Sequence, residues 1–155
     1  MSSSALFRSI KYCLQNFFFG KPIVIKYVNE FVFDQTETNY NLCVESLNAT
    51  LNLCTEFSKQ LNQKEARILA VLPDGKAFFD SSKGSKNTYA NFKSDLIHPN
   101  GVTRASIRSA MDSTSGVGAE IKFSDTTKKN ESYVAIRGGN TSDDIVYVIR
   151  LSFVL

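Results

Sequence analysis

The segment RILAVLPDGKAFFDSS, Arg67 to Ser82, does most to restrict the folds open to this chain. Ile68, Leu69, Val71 and Leu72 form a short apolar run. Pro73-Asp74-Gly75 then interrupts it, and Gly75 can supply the positive φ that a tight turn often needs. Phe78 and Phe79 resume the apolar character before Asp80-Ser81-Ser82 ends the run. This pattern predicts strand, turn, strand. The chain before it reads as helix, and the chain after it as a loop-rich segment followed by more strands. The expected architecture is therefore α+β: one antiparallel sheet with a long helix packed against it.

The longest periodic segment runs from Asp34 to Asn62. Tyr40, Val44, Leu47, Leu51, Cys54, Ser58 and Leu61 step alternately by four and three, an a/d-type stripe. Neither Gly nor Pro interrupts it, which predicts one long helix. Leu42, Cys43, Leu53 and Phe57 make a second apolar group. One side of the helix can pack on the sheet. The other is a candidate homodimer seam through Tyr40, Val44, Leu47 and Leu51, or it meets the N-terminal helix. That first helix is expected over Ala5 to Phe19, where Leu6, Ile10, Leu14 and Phe17 recur at helical spacing. Its Arg8 and Lys11 allow contact with a membrane surface, or a signal-like start. Docking on the domain is the preferred reading. Lys21, Lys26 and Glu30 break the only longer apolar tract, Pro22 to Phe33, so no membrane-spanning segment is expected.

Ser81 to Asn100 reads as a polar connection with at most short helices, and His98-Pro99-Asn100-Gly101 as a turn. Thr103 to Ser113 resumes helical character with Thr103 as a plausible N-cap. Strands are expected at Ala119–Ser124, Ser132–Arg137 and Ile145–Val154, the last long and apolar enough for a central place. No repeat or linker divides the chain. Residues 1–155 are read as one domain, with 1–29 an N-terminal helix and lead-in and 30–155 the core.

Composition removes several function classes. The net charge of +3 comes from interleaved acids and bases without a basic run, so no nucleic-acid partner is expected. Three cysteines and one histidine make a disulfide framework or a zinc site unexpected. Cys43 and Cys54 would lie roughly 16 Å apart on one helix, at 1.5 Å per residue. No nucleophile elbow, phosphate-binding loop or dinucleotide fingerprint is present. Asp112, Asp143 and Asp144 lack the alternating ligands of a calcium loop. A non-enzymatic protein without cofactor or metal is the expectation.

From about Glu30 onward the chain resembles the Cache (PAS-like) extracytoplasmic sensor domains of bacterial histidine kinases and chemoreceptors. Three stretches carry the likeness: ILAVLPDGKAFFDSS, TRASIRSAMDSTSGVGAEIKFS, and the pair SYVAIRGG and IVYVIRLS. The resemblance implies a PAS-like antiparallel sheet, with a small ligand between it and the covering loops and short helix. Membrane helices flanking a sensor and a signalling domain after it are not seen in this sequence. A free-standing sensor-like domain without a transmitter is therefore expected, cytoplasmic if the chain is complete and extracytoplasmic if it is processed or derived from a receptor.

In this sequence the covering pieces would be Ser81 to Ser113. They offer Asp80, Tyr89, His98 and Arg104, and the strands offer Tyr133, Arg137, Tyr147 and Arg150. Arginine grips a carboxylate through two parallel hydrogen bonds. Tyrosine adds an apolar wall and a hydroxyl, and Asp80 could meet an amine. An amino acid or small carboxylate would suit this set. Each residue also has a plain structural role open to it: a wet strand face for Arg137 and Arg150, a turn for His98, a strand end for Asp80, a core edge for Tyr133 and Tyr147. The alternative function is an interaction module that dimerises through the long helix and binds no ligand.

Overall fold

The computed structural model describes residues 3–60, 66–99, 104–125 and 128–154. Three helices open the chain: α1 (Ser3–Cys13), continued by widened π-helical turns over Leu14–Phe19, then α2 (Pro22–Phe33) and α3 (Glu37–Gln60). Pro22 starts α2, where its missing N–H costs no helical bond. Thr36 Oγ1 accepts from the Asn39 N–H at 3.2 Å at the start of α3. The hairpin follows as β1 (Ala66–Val71) and β2 (Ala77–Asp80), then a 3-10 stretch (Ser81–Lys86), α4 (Tyr89–Lys93) and α5 (Ala105–Asp112). The chain closes with β3 (Val117–Ser124), β4 (Lys129–Asn140) and β5 (Ile145–Val154).

The five strands form one antiparallel sheet in the order β2-β1-β5-β4-β3, with the apolar β5 in the middle. At the first turn Gly75 has φ 89°, and Asp74 Oδ1 accepts from the Lys76 N–H at 2.8 Å. This architecture is α+β and compatible with a PAS-like fold.

Strand alternation gives the sheet two unlike faces. Ile68, Ala70, Ile149, Leu151, Phe153, Val134 and Tyr147 are buried on one face. They meet the layer made by the three N-terminal helices, which contributes Ile10, Leu14, Phe18, Val28, Phe31, Tyr40 and Leu47 to the same core. Burying this many large side chains, at about 1.5–3 kcal/mol each, is the main force holding helices to sheet. Ring contacts knit its edge: Phe31 lies 5.1 Å from both Tyr40 and Phe92 in edge-on geometry. The first helix is thus docked on the domain. No described helix is long and apolar enough to cross a membrane.

Three expectations change. Pro22–Phe33, which runs across the boundary drawn at residue 29, is a helix of its own. Helix α5 begins at Ala105 with Arg104 in the N-cap position; the expected cap, Thr103, lies outside the described residues. The α3 stripe is turned inward. Tyr40 and Leu47 are fully buried, Val44 and Leu51 pack half-buried on the same core, and the Tyr40 hydroxyl donates to Phe78 O at 2.9 Å. A partner helix would find that seam occupied by the chain's own sheet. Leu61 of the same stripe lies outside the described residues.

Candidate functional site

The second face of the sheet is polar at its centre. The cross-strand pairs Ala135–Arg150, Leu69–Arg150 and Leu69–Asp80 form one row on that face. The next row is Glu120, Tyr133, Ser152 and Arg67. Helix α5 covers part of this face and fits closely because Gly118 lacks a side chain. A Cβ there would lie 2.0 Å from the Ser106 carbonyl oxygen. Arg137 fastens the far end of α5, donating from Nη1 to Met111 O at 2.7 Å and Ser113 O at 3.1 Å. Those are carbonyls at the C-terminal end of the helix, where a cation is favoured.

Between the sheet and the segments that carry Ser82, Lys83, His98 and Arg104 lies a cavity of about 300 Å³, lined by these four with Arg67, Leu69, Asp80, Ser124, Tyr133 and Arg150. Five of the lining residues are bases and one is an acid. Arg150 sits at the centre of the floor, 4% exposed. Its guanidinium lies 4.4 Å from the centre of the Tyr133 ring, and Arg104 approaches the same ring at 6.0 Å. The Tyr133 hydroxyl donates to the Glu131 carboxylate in a short hydrogen bond.

The electrostatics are unbalanced. Burial pushes Arg150 down to about 10, opposed by Tyr133 and aided by the Arg104 and Arg67 cations. Burial pushes Tyr133 up to about 12, with the hydrogen bond to Glu131 next in weight. Arg150 Nε and Nη1, Arg67 Nε and His98 Nδ1 are buried and meet no hydrogen-bond partner among the described residues. Buried donors are paired in the great majority of proteins. Four such atoms, three of them guanidinium donors, lie on three residues around one cavity.

Asp80 is differently placed. It is 2% exposed, and its Oδ1 accepts from the Ser82 N–H at 3.0 Å and the Ser82 hydroxyl at 2.7 Å, with Arg67 Nη2 at 3.7 Å. It holds the strand end and Arg67, which leaves it a poor partner for an amine.

Of the residues singled out from the sequence, Asp80, His98, Arg104, Tyr133 and Arg150 therefore come together. Tyr89, Arg137 and Tyr147 do not. Tyr89 packs its ring on Tyr40 and Phe92, and its hydroxyl donates to Gln35 O at 2.9 Å. Arg137 is the fastener of α5. Tyr147 is fully buried on the helix-facing side, an odd number of residues from Arg150 and so on the opposite face. Arg67, Lys83, Ser82 and Ser124 were missed. The alternation of Arg67 with apolar neighbours marked it as facing away from Ile68, but only the β1–β5 register puts it beside Arg150. A shallower cleft of about 240 Å³ lies between the Leu72–Gly75 turn and α5. Among the described residues, the unpartnered buried side-chain atoms include none that line it. No group of described His, Cys, Asp and Glu side chains is arranged to hold a metal.

No family model matches this chain, and neither a curated protein nor a solved structure matches it.

Proposed function

We propose that this domain captures a small organic acid, without transforming it, in the cavity between the sheet and the segments that carry Ser82, Lys83, His98 and Arg104. One observation carries the reading: a buried Arg150 whose Nε and Nη1 lack partners, facing a cavity shared with Arg67, His98 and Arg104. A carboxylate offers two oxygens to such donors and restores the charge balance that burial has upset. Tyr133 and Leu69 supply apolar wall for a short carbon chain. Asp80, already bonded, favours an acid without an amino group over an amino acid. The Ser82 hydroxyl, bonded to Asp80 Oδ1, belongs to the cap of the Ser81–Lys86 turn, so the reading is of binding alone. A sensor-like role, as the Cache resemblance implies, follows if a second chain reads the occupied state.

The test is calorimetry and thermal shift with a panel of mono- and dicarboxylates and amino acids, against chloride at equal ionic strength. Saturable heat with at least one carboxylate, lost in Arg150→Met, is the expected result. A panel without response in the wild-type protein would end this reading.

A further inference from the structure

We infer that β3 pairs edge to edge with β3 of a second copy of this chain, continuing the sheet across a twofold axis at Ile121. The two edges of the sheet are finished differently. On β2 the Asp80 N–H donates to Asn87 Oδ1 at 3.0 Å, Asn87 Nδ2 donates to Asp80 O at 2.8 Å, and Phe78 O is taken by Tyr40. That edge is short and blunted, as monomeric sheets require. The β3 edge is eight residues long and pairs with β4 in unbroken register, with Ala119, Ile121, Lys122 and Phe123 exposed. Ile121 is 42% exposed and Phe123 53%.

The phase of the ladder says which groups face outward. The Arg137 N–H donates to Gly116 O at 2.8 Å, one step beyond the Val117–Ile136 pair. Bonded and non-bonded pairs alternate in an antiparallel ladder. Gly118, Glu120 and Lys122 therefore bond to β4, and the N–H and C=O groups of Ala119, Ile121 and Phe123 point away from the sheet. These groups can bond to a second strand without disturbing the first.

Charge then selects the partner and the register. With Ile121 on the axis, Glu120 stands opposite Lys122 of the partner subunit, and Lys122 opposite Glu120 of the partner subunit. Ala119 stands opposite Phe123 of the partner subunit, small against large. One step toward either end sets Glu120 or Lys122 against its own copy, which like-charge repulsion disfavours. The sequence AEIKF is thus self-complementary in antiparallel pairing. Ala119, Ile121 and Phe123, whose backbone groups face outward, do not line the cavity, so the inference is independent of the ligand reading.

The experiment is sedimentation equilibrium on the full chain across concentration, with hydrogen exchange read at the β3 amides. The wild-type protein is expected to dimerise, with Ile121 and Phe123 amides exchanging more slowly as concentration rises. Ile121→Lys places two like charges on the axis and is expected to raise the dimer Kd by roughly tenfold or more. Because Ile121 is exposed, its melting temperature should stay near wild type at low concentration. Lys122→Glu, facing Glu120, is expected to weaken the dimer also. A wild-type chain that stays monomeric up to its solubility limit overturns the proposal. So does a dimer that both variants leave intact.

Discussion

Replacing Arg150 by methionine separates what this residue does for stability from what it does for binding. Its charge is held at about 10, against the ordinary 12.5. At 1.36 kcal/mol per tenfold, the folded state bears a penalty of about 3 kcal/mol for keeping that cation. The sign follows from the direction: a lowered value in a base means that folding disfavours the protonated form, the one present at neutral pH. Methionine keeps most of the apolar stem and removes the charge. What is lost is the contact with the Tyr133 face at 4.4 Å, worth about 1–2 kcal/mol when desolvated. The balance is a gain of about 1–2 kcal/mol, or roughly 3–6 °C in Tm for a chain of this size. Urea unfolding at neutral pH with an unchanged m value is the assay. In the same variant the carboxylate-induced Tm shift should vanish, so stability and binding move in opposite directions. If Arg150→Met instead destabilises by about 2 kcal/mol or more, the guanidinium is well paired in the free protein and the argument from its orphaned donors fails.

Two tyrosines on the helix-facing side should respond oppositely to loss of their hydroxyls. Tyr40→Phe removes a buried donor from Phe78 O and should cost about 1–2 kcal/mol, whereas Tyr147→Phe removes a hydroxyl without a partner and should be neutral or mildly stabilising in the same unfolding assay. Equal costs would contradict these bonding assignments. Burial raises Tyr40, Tyr133 and Tyr147 above the ordinary phenol value, Tyr133 to about 12. A raised acid favours folding while it stays neutral, so this contribution is full below about pH 10 and lost as pH rises through 12. Phenolate absorbance of the native chain should lag behind that of the urea-unfolded chain over this window, and coincident curves would count against it. Cys13 and Cys54 hold their sulfurs 3.6 Å apart, linking α1 to α3. Their shared hydrogen bond and burial raise the Cys54 thiol, so oxidation should be slow. Prolonged treatment with oxidised glutathione should take two hydrogens from this pair, with peptide mapping showing Cys43 still alkylatable. The new link would close 41 residues of chain and add up to about 4 kcal/mol. A bridge to Cys43 would contradict the packing.

The hairpin and the last three strands were legible because alternation and turn residues are local signals. Ile68 to Leu72, Pro73-Asp74-Gly75 and IVYVIRLSFVL each carry their structure in their own spacing. Helix α2 was obscured because Ile23 and Phe33 add exposed apolar residues beside the polar Lys26, Asn29 and Glu30, which blurs the helical period. The site was legible where chemistry and strand phase agree, as at Arg150 and Tyr133. Tyr147 could have been set aside from the sequence, since three residues along a strand from Arg150 it must face the other way. Arg67 could not have been added, because its nearness to Arg150 depends on which strand pairs with which. Arg137 shares a face with Tyr133, yet the carbonyl ends of α5 claim it first. That competition between a ligand and a helix end leaves no trace in spacing.

The unlike faces of the sheet also act on folding itself. A strand as apolar as β5 pairs readily with either neighbour in more than one register, and a slip by one residue exchanges its faces. Such a slip would drive the Arg150 guanidinium into the layer of Phe18, Phe31 and Leu47 and turn Ile149 and Leu151 toward the cavity. Desolvating an unpaired cation against phenylalanine and leucine costs several kcal/mol, which disfavours the slipped sheet. A residue whose burial costs stability in the native sheet would thus cost more in the slipped one. A methionine at this position would make a sturdier protein that finds its register less faithfully.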